Sequence, residues 1–316
     1  MHNINNADKI CLRNCARPLH PSDLPGITSL ASANIYPDLS SLIGFAPDQN
    51  HWQHQIFDDP DYEPELARGI FRNKILIGAI IAVRRPWKTG REQTGFIKWL
   101  GVHQDHLNDE IGDQLLDMIE SELRFKGITK LVYGSSSPRY LLPGVPQKDK
   151  ITRDILHTNN WTESSLRTNL LGDLKNIKLT TAIPTLHSIT TATPDDREKL
   201  LNFIEQNFSL SWAIECENVF RSASPAFACL ARSSTDNTIV GFCAFGATNP
   251  CWLGPMGVKL PYRNRGYGQA LLMKTMQTAQ QSGSQIFCIP WANETFYTKH
   301  LINLSHSRFL KYEKEL

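Results

Sequence analysis

Short apolar runs of strand length alternate with longer stretches of helical period along this chain, and the whole alternation is written twice. In the second half the pattern predicts a strand over Leu186–Ala192, a helix over Asp196–Phe208 and another helix over Ser211–Arg221. A hairpin is predicted over Ala226–Ala247, turning at Thr235-Asp236-Asn237, and then a strand over Trp252–Val258. A helix over Gly268–Gln281, a strand over Gln285–Ile289 and a segment Glu294–Leu301 complete the set. Strands and helices in this order predict an α/β (α+β) fold, with a mixed central sheet flanked by helices in each half.

The two halves share scattered identities in one order. With Gly101 set on Gly257, Val102 meets Val258, Asn108 meets Asn264, Gly112 meets Gly268, and Leu115-Leu116 meet Leu271-Leu272. Upstream, Ile77-Gly78-Ala79 corresponds to Val240-Gly241-Phe242, and Pro21-x-Asp23 to Pro194-x-Asp196 at two helix starts. A duplicated domain is the economical explanation. The expected division is residues 1–178 and 184–316, with the linker near Asn176–Pro184, where periodicity lapses. The second half stops soon after its last helix, so its final strands must be short or be supplied by the other half.

The most specific stretch is Val258-Lys259-Leu260-Pro261-Tyr262-Arg263-Asn264-Arg265-Gly266-Tyr267-Gly268, followed by Gln269-Ala270-Leu271-Leu272. It reads as a strand end, a basic loop Arg-x-x-Gly-x-Gly, and a helix opening on two glycines. Glycines let backbone N–H groups approach a ligand closely, the helix N-terminus carries about half a positive charge, and Arg263 and Arg265 add full ones. That is a cradle for phosphate. The spacing does not fit Gly-x-Gly-x-x-Gly or a Gly-Lys-Ser/Thr phosphate loop. The first half has Leu107-Asn108-Asp109-Glu110-Ile111-Gly112 instead, with Asp105, Asp109 and Glu110 around the spot. Each carboxylate close to a pyrophosphate repels it by about 1 kcal/mol in water and more when desolvated. The first half is therefore expected to be a scaffold and a wall of the substrate cleft.

Composition narrows the partners. A chain of 316 residues, 41% hydrophobic and 20% charged, fits two ordinary globular domains. A net charge of +2 gives no general attraction to nucleic acid or acidic membranes. No run of 18 apolar residues and no signal peptide stand out, so no membrane partner is expected. Seven cysteines, an odd number, lie partly in apolar runs such as Gly241-Phe242-Cys243-Ala244-Phe245 and read as buried thiols of a cytoplasmic protein. Cys11 and Cys15 lack a second pair at zinc spacing, so no metal is expected.

The cradle and the duplicated order resemble tandem proteins of the GCN5-related N-acetyltransferase (GNAT) superfamily, in which one repeat is active and the other degenerate. Tyr140-Leu141-Leu142-Pro143-Gly144-Val145-Pro146 and the segment from Pro290-Trp291 to Tyr312-Glu313 also look like a bacterial tandem group. The resemblance implies acetyl-CoA as cosubstrate, its pyrophosphate on the amides of Arg263, Asn264, Arg265, Gly266, Tyr267 and Gly268. The pantetheine arm would run beside the strand Gly254–Val258, against Met256, Gly257 and Val258, and a backbone N–H of that strand would meet the oxyanion. It further implies that Tyr297, after the last strand, protonates the leaving thiolate, since a phenol of pKa near 10 is protonated at pH 7. Many relatives place a glutamate on the strand before the cradle, but Cys251-Trp252-Leu253-Gly254-Pro255-Met256 has none. Glu215, Glu217 and Glu294 remain candidates for the base; Glu215 and Glu217 cannot both face one site from a helix. Trp212, Trp252, Trp291 and Phe245 are candidates for the acceptor pocket or for the core, and the basic loop Arg84-Arg85-Pro86-Trp87-Lys88 is expected in solvent, with a reach over the cleft as the alternative. The expected activity is transfer of an acetyl group to a primary amine of a small molecule by a monomer or homodimer. A non-catalytic acyl-CoA-binding module and an enzyme using a larger acyl-CoA stay open.

Overall fold

The computed structural model describes residues 14–32, 39–85, 94–175, 178–179, 189–221 and 226–316. Cys11, most of the expected linker and the basic-loop residues Pro86, Trp87 and Lys88 lie outside the described residues. The first repeat runs β1 (Cys15–Pro18), α1 (Leu24–Leu30), α2 (Leu39–Ile43), α3 (Gln49–Ile56), β2 (Ala67–Arg72), β3 (Ile75–Arg84), β4 (Thr94–Val102) and α4 (Ile111–Phe125). It ends with β5 (Lys130–Tyr133), β6 (Val145–Pro146), α5 (Lys150–Thr158), β7 (Thr162–Asp173) and the two-residue β8 (Lys178–Leu179). The second runs β9 (Ile189–Thr191), α6 (Arg197–Asn207), α7 (Leu210–Glu217), β10 (Phe227–Arg232), β11 (Ile239–Phe245), β12 (Leu253–Val258) and α8 (Tyr267–Gln281). It closes with β13 (Ile286–Ile289), α9 (Glu294–His300), β14 (Leu301–Ile302) and β15 (Ser305–Glu315).

The duplication is visible bond by bond. Gly78 pairs with Val102 across β3 and β4, and Gly241 with Val258 across β11 and β12. His103 N–H donates to Ile77 O, and Lys259 N–H to Val240 O. Pro21–Asp23 and Pro194–Asp196 each form a 3-10 turn closed by a capping box. The strand β3 is buried along nearly its whole length, which explains its uninterrupted apolar run: α4 covers one face and α1 to α3 the other. On α4, Ile111, Leu115, Leu116, Ile119 and Leu123 form the buried stripe that meets it.

Division in the sequence is not division in space. The second repeat's last strand is neither short nor its own: β15 lies between β5 and β7 of the first repeat, while β7 pairs in turn with β13 of the second. The order β1-β2-β3-β4-β5-β15-β7-β13 makes the antiparallel pair β7–β15 a seam shared by both halves. Each half thereby covers the other's open strand edge, and backbone groups that would face solvent are paired. Two-residue strands β8 and β14 also pair across the halves. Elsewhere the contact is specific as well. Trp252 Nε1–H donates to Ile43 O at 2.9 Å, Gln55 Nε2 to Asn249 Oδ1 at 3.1 Å, and Asn249 Nδ2 to Tyr140 O at 3.0 Å. These bonds fix α2, α3 and the 135–146 loop of the first repeat against the β11–β12 connection of the second.

Candidate active site

The strands β12 and β13 are adjacent but joined only by the bridge Trp252↔Cys288 among the described pairings, so they diverge toward the C-terminal end of β12. A 3-10 turn over Leu260–Tyr262 follows β12, Asn264 and Gly266 take left-handed φ angles of 59° and 84°, and α8 starts at Tyr267. The left-handed turn at Gly266 explains the glycine, because a Cβ there costs about 1 kcal/mol. It aims the first N–H groups of α8, which have no intrahelical carbonyl, out of the loop. The first turn of α8 holds no acidic residue, whereas α4 has Asp113 in its first turn and Glu110 at its N-cap. In that first-repeat loop Asp109 pairs with Arg72 at 3.0 Å and His106 at 2.9 Å. Arg263 Nε donates to Val258 O at 2.9 Å, which pins the loop to the strand end, and the Arg265 guanidinium lies 5.7 Å from the Tyr262 ring centre.

Beside the divergence lies a cavity of about 460 Å³ between the repeats. From the second repeat, α7, β12, the turn after β13 and α9 line it; from the first, Ser135, Ser137 and Tyr140 on the loop after β5. Glu215 and Tyr297 both open onto it. Glu215 is buried, and its carboxylate accepts from Ser137 Oγ at 3.0 Å and from Thr248 Oγ1, one hydroxyl from each repeat. Burial pushes the Tyr297 phenol well above its ordinary pKa, which keeps the proton on oxygen. Tyr140 shifts the same way through burial, with the nearby Glu215 carboxylate adding to it. Gly254 sits at a bulge in β12 with φ 135°, and a Cβ there would meet nothing within 4 Å, because it would project into open space.

The equivalent place in the first repeat is filled. The strand β4 bulges at Lys98, the residue matching Gly254, and there a lysine side chain occupies the space. Lys98 Nζ donates to Asp59 Oδ2 at 2.7 Å and to Gln55 O. Asp59 also accepts from Arg85 at 2.5 and 2.9 Å, and all three side chains are buried. Two residues further along, the Leu100 N–H donates to the Tyr133 hydroxyl at 3.1 Å, closing the gap between β4 and β5. In the second repeat Met256 and Ile289 stand at those positions, and isoleucine offers no hydroxyl. Arg85 reaches onward to Ser136 O at 2.5 Å, so the filled site anchors the loop that carries Ser135 and Ser137.

Of the residues singled out by sequence, Met256, Glu215 and Tyr297 line the cavity, while Gly257, Val258 and the segment Arg263–Gly268 lead away from it into the cradle. Glu217 faces a separate hollow and is paired with Arg197 and with Arg221. Glu294 accepts from Thr168 Oγ1 at 2.7 Å and is not among the cavity's lining. Trp212 and Trp291 line the cavity, whereas Trp252 and Phe245 are core. Arg85, expected in solvent, is buried, because Asp59 and Asp61 draw it inward. Ser137, Thr248 and the first-repeat plug carry no periodicity or motif, and only folding brings them to Glu215 and to the bulge.

Residues 197–299 match the family model described as acetyltransferase (GNAT) family. No curated protein matches the chain. Among solved structures, a GCN5-related glucosamine N-acetyltransferase region of a fungal multi-domain GH3 beta-N-acetylglucosaminidase superposes with TM-score 0.77 at 15% identity, over 96% of this chain and 38% of that one. The present chain thus spans well under half the length of that protein. A GCN5-related N-acetyltransferase from Sphaerobacter thermophilus gives TM-score 0.70 at 15% identity, covering 96% and 95% of the two chains. A tandem GNAT protein from the clavulanic acid biosynthesis pathway gives 0.69 at 14%, covering 96% and 98%. At such identities the likeness shows the fold, and the family model identifies the second repeat. The chain has the fold of tandem GNAT proteins, and its second repeat carries the match to the acetyltransferase (GNAT) family model.

Proposed function

We propose that the protein moves an acetyl group from acetyl-CoA to the primary amine of a small molecule, with one cosubstrate site, in the second repeat. The observation that carries this reading is the convergence of Glu215 and Tyr297 on one cavity with the bulge of β12, whose C-terminal end runs into the basic cradle. Acetyl-CoA supplies the activated acyl thioester. Arg263, Asn264, Arg265, Gly266, Tyr267 and Gly268 suit its pyrophosphate, since the turn combines backbone donors, two guanidinium groups and an acid-free helix start. The Met256 N–H is the donor placed for developing oxyanion charge, at the position where the first repeat uses the Tyr133 hydroxyl to occupy Leu100.

Glu215 holds the acceptor's ammonium in the cavity and takes its proton. Ser137 and Thr248 hold that carboxylate in place. The Tyr297 hydroxyl, held protonated by burial, delivers a proton to the departing thiolate. The first repeat acts as wall and scaffold, its own site filled by Lys98, Asp59 and Arg85. The described cysteines are unpaired, which suits a cytoplasmic protein, monomeric or homodimeric. Calorimetric titration with acetyl-CoA tests the reading. Wild type should bind one equivalent per chain, and Gly268→Trp, which puts an indole at the helix start, should abolish it. Two equivalents, or none, would refute the single second-repeat site.

A further inference from the structure

The cavity holds more information about the acceptor than an amine alone. Among the described residues that line it, Glu215 is the only charged side chain. The other polar side chains of the lining are neutral, mostly serine and tyrosine hydroxyls, with the Asn293 amide and the indoles of Trp212 and Trp291. Three arginines that adjoin lining segments are themselves outside the lining. Arg139 donates to His54 O at 3.1 Å and lines the separate hollow with Arg197 and Arg221. Arg167 lies over the Trp291 ring, 5.2 Å from its centre and outside the lining. Arg85 is spent on Asp59, Asp61 and the Ser136 carbonyl. A carboxylate or phosphate on the acceptor would therefore meet no cation among the described lining residues and would face a buried carboxylate instead.

We infer that the acceptor is a cationic amine carrying no carboxylate or phosphate, its remaining polar groups being neutral, and that Glu215 enforces this choice. This rests on the proposed function and narrows it: free amino acids and sugar phosphates are excluded, while hydroxylated amines fit the hydroxyl lining. Charge repulsion acts strongly here, because in a half-enclosed site the effective dielectric is nearer 20 than 80. An added anion should weaken binding by a factor of at least about 10.

The test is calorimetric binding of matched pairs to the CoA-saturated protein: glucosamine and glucosamine 6-phosphate, ethanolamine and serine, tyramine and tyrosine. At least one anion-free amine should bind saturably, with its anionic partner about 10-fold weaker or worse. In Glu215→Gln, an isosteric change, the two members should come within about threefold of each other. Equal or tighter binding of the anionic members overturns the inference, as does a preference that survives Glu215→Gln or the failure of every probe to bind. Acetyl transfer is read separately by thiol release. Discrimination in binding with no transfer to any bound amine sinks the proposed function and leaves this inference standing; transfer to both members of a pair with equal kcat/KM does the reverse.

Discussion

Asp59→Ala probes the charge cluster that fills the first repeat's site. The Asp59 side chain is 2% exposed, Arg85 0% and Lys98 4%, so all three charges are desolvated. Burial alone would push the Asp59 carboxyl up, but Lys98 and Arg85 outweigh it and hold it below the ordinary carboxylate range. Burial lowers Lys98 to about 8 even with Asp59 beside it. Without Asp59, Arg85 keeps Asp61 at 2.9 Å, whereas Lys98 keeps only the Gln55 carbonyl. Removing one partner of a buried pair costs about 3–5 kcal/mol. Releasing the lysine proton at pH 7 sets a ceiling of about 5 kcal/mol on leaving it uncompensated. Against a total stability of about 5–15 kcal/mol, that should lower Tm by roughly 10 °C.

The pH dependence gives a second, signed readout. A lysine whose folded pKa lies below its unfolded value leaves the unfolded chain with more bound protons, so stability rises with pH between the two values. In wild type that window opens near pH 8. Without Asp59 it opens lower, so the variant's deficit should be largest near pH 6 and narrow toward pH 8. Lys98→Met is the control: it leaves Asp59 bidentate on Arg85 and should cost no more than about 1.5 kcal/mol. Urea unfolding at several pH values measures all of this. A deficit below about 1 kcal/mol, or one that does not change with pH, would mean that water reaches the cluster and that it does not act as a dry plug.

Tyr297→Phe should leave acetyl-CoA affinity within about twofold and lower kcat by about 100-fold or more, as measured by thiol release; an unchanged kcat removes Tyr297 from the chemistry. Ser137→Ala removes one of the two hydroxyls that hold the Glu215 carboxylate and should lower kcat/KM for the amine by about 10-fold, as measured by thiol release. An unchanged kcat/KM would show that Ser137 does not position Glu215. Gly266→Ala places a Cβ at φ 84° and should cost about 1 kcal/mol in unfolding while weakening acetyl-CoA binding. Unaltered affinity in a titration would show that the turn geometry does not matter to the cradle.

Local chemistry made much of this legible from sequence. The β11–β12 hairpin, α8 and the basic turn are written in contiguous residues, and their signals (alternation, a helical stripe, glycine at a left-handed turn) come from contacts between near neighbours in the chain. The duplication was readable for the same reason, since Gly78 with Val102 and Gly241 with Val258 repeat one hairpin register. The expected loss of the cradle in the first repeat likewise rests on neighbouring residues, three carboxylates in six positions.

Tertiary structure alone decided the rest. Nothing in β7 or β15 taken singly says that each will bind the other repeat's edge, because strand pairing partners are chosen by shape and edge complementarity over a hundred residues of separation. Glu215 was one of three equivalent-looking glutamates until folding buried it against Ser137, 78 positions away, and turned Glu217 toward Arg197. Lys98 looked like any strand lysine, yet at a bulge facing Asp59 it fills the site that Gly254 leaves open. Sequence sets which groups are available and how the backbone turns near them. Which groups meet in one cavity, and so which charges matter, depends on packing between segments far apart in the chain.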